Sequence, residues 1–185
     1  MKTKKLFTTQ FIIQTGVMAA VVCVVTFFRF PILGSKVHFA NAMCLLAGLL
    51  FGPVSGGLAA GLGSFLYDAL FGGYDIIQCL ITFVSKFIMA WLCAKIAYSG
   101  GHAENRVKVI IASVIGALSY VVLYMLKTYI YQDFIYGLSL PATGAVMLAK
   151  LPASLINAVA AMIATPIVFF LLAPAMKKLR FKSMK

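Results

Sequence analysis

The chain has 185 residues, of which 63% are hydrophobic and 11% are charged, and its mean hydropathy is +1.02. Because soluble domains are usually about a quarter charged, this composition excludes a soluble globular protein and predicts an integral membrane protein. The net charge of +12 does not indicate nucleic acid binding, since the basic residues flank apolar segments and would face the anionic lipids of the bilayer.

Apolar segments predict six transmembrane helices, which form a single membrane domain over residues 1–185. We place the spans near residues 11–30, 39–51, 54–71, 76–98, 107–131 and 145–175. A helix needs about 20 apolar residues to cross a bilayer, so the second span is short. Only Gly52 and Pro53 separate it from the third span. We therefore expect the second and third spans to form a tight helical hairpin.

The distribution of charge predicts the orientation of the bundle. Eleven of the sixteen basic residues fall at one set of helix ends: Lys2, Lys4, Lys5, Lys95, Arg106, Lys108, Lys177, Lys178, Arg180, Lys182 and Lys185. Three of the four acidic residues, Asp68, Asp75 and Asp133, fall at or near the opposite ends. Segments rich in lysine and arginine stay in the cytoplasm, so both termini are predicted to be cytoplasmic.

Signatures of catalysis and metal binding are absent from the sequence. The cysteines form no CxxC pair, and the aspartates are too widely separated for a metal-binding carboxylate cluster. Gly61-x-Gly63-Ser64 resembles the GxS of intramembrane serine proteases, but that chemistry needs a histidine base within reach. His38 and His102 are predicted on opposite sides of the membrane. Without a GxxxxGK[ST] loop as well, we expect no enzyme activity, metal, cofactor or autonomous ATP-driven transport.

Small residues recur at four-residue spacing in two of the spans. In the third span Gly57 and Gly61 form a GxxxG motif, which lets neighbouring helices approach closely. Packing within the chain is the favoured interpretation of that motif. The first span carries Gly16-x-x-x-Ala20 with Ala19 beside it. For this span, a docking face for another membrane protein is an open alternative.

Polar residues form a stripe on one face of each of the last three spans. They recur at helical spacing, as Tyr74, Gln78, Thr82 and Lys86; as Tyr120, Tyr124, Lys127 and Tyr131; and as Lys150, Ser154 and Asn157. In the predicted orientation, all three stripes lie in the outer half of the membrane. This convergence predicts an outward-facing substrate pocket in a compact all-α bundle, although each stripe alone is also typical of helix packing.

The hypothesis of a binding site depends mainly on the lysines in the membrane spans. An ionisable group at the centre of a transmembrane helix costs about 2.5–3.5 kcal/mol and usually marks a functional site. Lys86 interrupts an apolar run, whereas Lys127 and Lys150 lie near helix ends and could equally extend to the membrane interface. Together with tyrosine rings and amide groups, these lysines suit a small, flat, polar molecule with hydrogen-bond acceptors.

Three more residues of the second and third spans lie toward the same side. Asn41 and Tyr67 are predicted to join the pocket. Asp68 could join it as well, but its favoured role is that of a counter-ion for Arg29 or for a lysine.

Several segments resemble the substrate-binding S components of energy-coupling factor (ECF) vitamin transporters, which are bacterial six-helix membrane proteins. They are residues 37–42 (VHFANA), 49–57 (LLFGPVSGG), 63–68 (GSFLYD), 72–74 (GGY), 81–86 (ITFVSK) and 151–158 (LPASLINA). The Gly-Pro hairpin and the Thr-Phe-x-x-Lys sequence are the more specific features. Length and topology match over essentially the whole chain.

The resemblance implies a high-affinity subunit that captures a water-soluble vitamin or vitamin precursor outside the bacterial cell membrane. It also implies docking on a membrane scaffold subunit with two cytoplasmic ATPase subunits, through a small-xxx-small motif like that of the first span. Carried over by position, Tyr74, Lys86 and Asn157 are the best substrate contacts, and the loop at residues 34–37 is a lid.

Two other functions remain open at this point. A small self-sufficient carrier or channel would use the embedded lysines as proton or ion relays. An accessory membrane subunit without a ligand would use the polar stripes only to hold its helices together. The substrate is open as well: pyridoxine-type compounds, thiamine precursors, riboflavin, folate and pantothenate are all compatible, and the lysines favour a neutral or anionic ligand over a cation.

Overall fold

The computed structural model describes residues 8–32, 35–101, 103 and 105–183. Within these residues the chain forms six α-helices: α1 (Thr9–Phe27), α2 (Ala40–Phe51), α3 (Pro53–Tyr67), α4 (Ile76–Ala97), α5 (Arg106–Ile130) and α6 (Leu140–Ser183). Five are long and apolar enough to cross a membrane, and α2 is the shorter apolar helix. The expected all-α membrane fold with six helices is therefore confirmed.

Side-chain caps and a glycine turn set several helix boundaries. The side chains of Thr8, Asp75 and Asn105 accept backbone N–H groups in the first turns of α1, α4 and α5, which satisfies donors that the helix leaves unpaired. A single residue, Gly52, joins α2 to α3 with φ +83°, and Pro53 follows at the first position of α3. The two helices form the expected hairpin.

Two features of the fold were not predicted from the sequence. First, α1 ends three residues before the expected end of the first span, and an antiparallel pair of strands follows, β1 (Arg29–Ile32) and β2 (Ser35–His38). Second, π-helical turns extend α3 over Asp68–Gly72 and α5 over Tyr131–Ile135. The strands are only four residues long, so their pairing depends on their neighbours rather than on a strong local pattern.

The glycines of α3 serve packing within the chain, each against a different helix. A Cβ atom at Gly56 would collide with the backbone of α2, and one at Gly63 would collide with the backbone of α1. At Gly61 it would lie 2.9 Å from the carbonyl oxygen of Phe83 in α4. Because real Cβ atoms do not approach so closely, only glycine allows α3 to contact three helices at once.

The apolar core lies where α2 is surrounded by the longer helices. Its largest fully buried side chains include Leu45 and Leu49 of α2, Met89 of α4 and Val109 of α5. The longest helix, α6, has 44 residues and contains three internal prolines. A span of that length exceeds the thickness of the hydrocarbon core, which about 20 helical residues cross.

Some sequence predictions concern residues outside the described part of the chain. They include Lys2, Lys4, Lys5 and Lys185 of the positively charged flanks and His102 of the loop between α4 and α5. The predicted lid at residues 34–37 overlaps β2 from residue 35 onward, and Gly34 lies outside the described residues. The orientation of the bundle therefore stays a prediction from charge.

Candidate functional site

A cavity of about 660 Å³ lies among the helices and the strand pair. Ten of the eleven predicted substrate-binding residues line it: Tyr67, Tyr74, Gln78, Thr82, Lys86, Tyr124, Lys127, Tyr131, Lys150 and Asn157. The eleventh, Asn41, is buried in α2 behind the wall and contacts the cavity through Lys86. The three polar stripes therefore do converge, since α4, α5 and α6 each present one to the same space.

Lys86 is the most deeply placed charge of the site. Its side chain is only 3% exposed, and its Nζ donates a hydrogen bond to Oδ1 of Asn41. The same Nζ lies 3.7 Å from the centre of the Tyr120 ring, where the electron-rich face attracts a cation. Helix α4 thus supplies the charge, and residues of α2 and α5 hold the ammonium group in place.

Lys127 extends across the cavity toward α4. Its Nζ donates to Oγ1 of Thr82 at 3.1 Å and to the carbonyl oxygen of Gln78 at 3.5 Å. It also lies 5.7 Å from the centre of the Tyr74 ring. The polar stripes of α4 and α5 are therefore joined to each other directly, and Lys127 is directed toward the pocket.

The rim of the cavity contains a carboxylate that is held in its ionised form. Asp75 accepts a hydrogen bond from the backbone N–H of Gln78 at 2.9 Å and another from the Tyr131 hydroxyl at 3.2 Å. The backbone N–H of Gln78, first among several donors, lowers the pKa of Asp75 below its ordinary value. Asp75 therefore stays charged at neutral pH while it caps α4.

The strand pair closes over the cavity through two contacts. Oδ1 of Asn157 in α6 accepts the backbone N–H of His38 at 2.8 Å, which ties β2 to α6. The Arg29 guanidinium lies 5.0 Å from the centre of the Tyr67 ring, which ties β1 to α3. Asn157 and Tyr67 were predicted as substrate contacts, and both also anchor the strands.

Two tyrosines of α5 form an aromatic surface in the cavity wall. The rings of Tyr120 and Tyr124 are stacked with centres 6.1 Å apart and planes 25° apart. Both line the cavity. A flat ring placed on this surface would gain offset stacking, a geometry that aromatic pairs favour.

Other lining residues were missed by the sequence reasoning, among them Thr26, Arg29, His38, Ser85, Thr128, Gln132 and Tyr136. Most lie at the ends of helices or in the strand pair, where no helical stripe indicates a common face. Asp68, which was favoured as a counter-ion, also lines the cavity. It interacts electrostatically with Lys127, Lys86 and Arg29, so its position is compatible with either role.

The predicted docking residues of α1 divide between two environments. Gly16 and Ala20 are exposed on α1, and no atom lies within 4 Å of a Cβ built at Gly16. Ala19 is buried, and its backbone packs against Gly63.

Among the described residues, no group of three or more histidine, cysteine or acidic side chains could hold a metal ion.

Comparison with known proteins identifies the family. A model of the family described as "ECF-type riboflavin transporter, S component" matches residues 6–174. The chain belongs to this family. It is therefore a multi-pass membrane protein and a substrate-binding subunit of an ECF transporter. The family is one of transporter S components and not a class of enzymes.

Two individual proteins resemble this S component. A solved S component of a bacterial ECF transporter has the same fold, with a TM-score of 0.66 and 21% sequence identity over 92% of this chain and 96% of the other. An uncharacterized protein in a gap 3′ region of Pyrococcus woesei is 29% identical over 105 residues. That alignment covers 55% of this chain and 66% of the relative.

Proposed function

We propose that this S component captures a water-soluble vitamin or vitamin precursor from outside a bacterial cell. It then releases the substrate inward when it is docked on a membrane scaffold subunit driven by two cytoplasmic ATPase subunits. Its task is binding and delivery without catalysis. The observation that carries the proposal is the gathering of ten predicted polar residues, buried Lys86 among them, in one cavity.

The charge distribution supports an outward-facing cavity. Tyr74 and Asp75, just before α4, line the cavity, whereas Lys95 lies in the last turn of the same helix. Arg106 begins α5, and Tyr131 at the far end of that helix lines the cavity. Since basic ends face the cytoplasm, the cavity faces outward and both termini are cytoplasmic.

The lining supports a flat substrate with several hydrogen-bond acceptors. Lys86 and Lys127 supply cationic donors, and the stacked rings of Tyr120 and Tyr124 supply an aromatic surface. The family description names riboflavin, which has a flat ring system and many acceptor groups. Riboflavin is therefore the first compound to test, followed by other water-soluble vitamins.

The exposed side of α1 is the proposed docking surface for the scaffold subunit. Gly16 and Ala20 lie four residues apart there, beside exposed apolar side chains such as Val17 and Val24. Small residues at this spacing let two transmembrane helices approach closely. Ala19 is excluded from this surface because it packs inward against α3.

The function is tested by the thermal stability of the purified protein in detergent across a panel of vitamins and precursors. A ligand at 100 times its Kd should stabilise the folded state by about 2.7 kcal/mol, which is a readily measured increase in Tm. We expect one compound to stabilise the wild type and to lose this effect in Lys86→Gln. Lys108→Gln is the matched control, since Lys108 is half-buried and contacts Ser99 outside the cavity.

A folded protein that no compound stabilises would contradict the proposal. Equal stabilisation of wild type and Lys86→Gln would show a ligand that binds elsewhere. Docking is tested separately, by co-purification with ATPase subunits from native membranes. Gly16→Leu should abolish this co-purification and leave ligand binding unchanged.

A further inference from the structure

Lys86 is buried without a carboxylate within ion-pair distance among the described residues, and Asp68 acts on its charge only from farther away. Among the described residues, its Nζ contacts the amide oxygen of Asn41 and the ring of Tyr120, and it forms no ion pair. Its side chain is 3% exposed and lines the cavity. Burying an ammonium group without a charged partner is costly, and an anionic ligand in the cavity would offset that cost.

The ammonium group of Lys86 has donors left for a ligand. An ammonium carries three N–H groups and accepts none. One of them is used by Asn41, and the Tyr120 ring covers another side of the group. Because Lys86 also lines the cavity, a ligand there can accept from Nζ directly.

The cavity as a whole has an excess of positive charge. Its lining contains four basic side chains, Arg29, Lys86, Lys127 and Lys150, and two acidic ones, Asp68 and Asp75, which leaves a formal excess of two positive charges. Asp75 is already used at the rim by Gln78 and Tyr131, and Asp68 alone cannot neutralise the remaining cations.

The identity of residue 41 keeps the charge of Lys86 available. An aspartate at this position would neutralise Lys86 inside the protein, whereas the Asn41 amide orients the ammonium and leaves its net charge in place. Charge-assisted hydrogen bonds are about twice as strong as neutral ones. A carboxylate on the substrate would gain most from such a donor.

We propose that Lys86, oriented by Asn41 and Tyr120, forms an anion subsite that binds a carboxylate of the substrate. This assignment presupposes the proposed binding function and specifies the substrate class: a flat vitamin or precursor that is an acid. The rest of the molecule lies along Tyr120 and Tyr124, where its ring can stack.

The test compares acids with their neutral counterparts on the full-length protein. The pairs are nicotinate with nicotinamide, 4-pyridoxate with pyridoxine, pantothenate with pantothenol and biotin with its amide, and riboflavin is included as a neutral flat compound. Affinity is measured by isothermal titration in detergent. We expect at least one acid to bind about tenfold or more tightly than its neutral counterpart, a difference of roughly 1.4 kcal/mol.

Variants test whether the carboxylate of the substrate binds at Lys86. Lys86→Gln should weaken acid binding by about 30-fold or more, as expected for loss of one partner of a buried charge pair, and should remove the preference for the acid. Asn41→Asp should have the same effect while Lys86 is retained, so a folding defect in one variant leaves the other informative. Lys108→Gln, outside the cavity lining, should retain the preference for the acid.

Tight binding of riboflavin or another neutral compound, unchanged in Lys86→Gln and Asn41→Asp, would overturn the anion subsite and leave the binding function intact. A preference for an acid that persists in both variants would also overturn it. No binding by any compound would overturn the proposed function, and the subsite with it.

Discussion

Helices α4 and α5 contact each other along their length, but the two ends of this contact are built from different residues. At one end, which we call the sealed end, Gly116 of α5 packs against Cys93 of α4, and an added Cβ would lie 2.9 Å from the Cβ of Cys93. At the other, the cavity end, Lys86 meets the ring of Tyr120 and Lys127 bonds to α4. Helices α4 and α5 are therefore closely packed at the sealed end, and at the other end they form part of the cavity wall.

Side-chain size explains this difference better than hydropathy. Small residues at the sealed end let the backbones approach until no space remains, and their dispersion contacts stabilise the interface. Long polar residues at the cavity end hold the helices apart. Their hydrogen bonds to one another use only some of their donors and acceptors. The position of the cavity is thus set by where small residues give way to long ones.

The largest expected effect comes from adding a side chain where α2 packs on α4, one turn from the sealed end. A Cβ atom at Gly48 would collide with the backbone carbonyl of Ala90 in α4, and backbone cannot move aside as a side chain can. We expect Gly48→Ala to lower the free energy of unfolding by about 1–3 kcal/mol, measured as a lower Tm in detergent. Gly16→Ala is the control, because nothing lies within 4 Å of its Cβ. Equal Tm values for the two variants would contradict the packing described here.

The next largest effect should come from removing the aromatic partner of Lys86. Tyr120→Leu removes the ring face that lies 3.7 Å from Nζ, and cation–π contacts contribute about 0.5–2 kcal/mol. Substrate affinity should fall by about 2- to 30-fold, measured by isothermal titration. Tyr120→Phe retains the ring and should retain most of the affinity. If both variants lose affinity equally, the hydroxyl rather than the ring face is the contact that matters.

A smaller effect is expected where the strand pair meets α6. Asn157→Ala removes the acceptor of the His38 N–H group, a bond of about 0.5–1.5 kcal/mol. Hydrogen exchange of the β2 amides should accelerate by about 2- to 12-fold, which is that free energy expressed as a ratio. Ser154→Ala, which also lines the cavity, should leave the exchange unchanged. An unchanged rate in Asn157→Ala would mean that other contacts hold the strands.

A comparably small effect should come from the link between Lys127 and α4. Thr82→Val keeps the shape of the side chain but removes the acceptor 3.1 Å from Lys127 Nζ. We expect a loss of about 0.5–1.5 kcal/mol in the free energy of unfolding, measured by thermal denaturation. Thr128→Val is matched to it, since the Thr128 hydroxyl bonds only within its own helix. A loss in the control as large as that in Thr82→Val would remove the case for an inter-helix link.

Much of the candidate site could be predicted because it lies on regular helices. Residues four apart share a face, so Gln78, Thr82 and Lys86 were recognisable as one stripe, and all three line the cavity. Arg29 and His38 could not be found in this way. They enter the cavity only because the strand pair folds over it, and nothing in a four-residue strand indicates which helix it will contact.

The role of individual residues was harder to predict than their location. Asn41 was expected among the substrate contacts, yet it lies behind the wall and orients Lys86. Ala19 was grouped with Gly16 on the docking face, yet it packs inward on α3. In both cases a rotation of a fraction of a helical turn decides which neighbour a side chain meets, and a sequence does not specify that rotation.

By itself, the sequence determined the membrane class, the six helices, the hairpin at Gly52 and the three polar faces, because hydropathy and helical spacing are local properties. Only the tertiary structure decided the depth of Lys86, its partners Asn41 and Tyr120, and the closure of the strands over the cavity. These depend on contacts between residues some 35 to 120 positions apart. Such contacts are selected by packing of the whole bundle, which leaves no periodic signal in the chain.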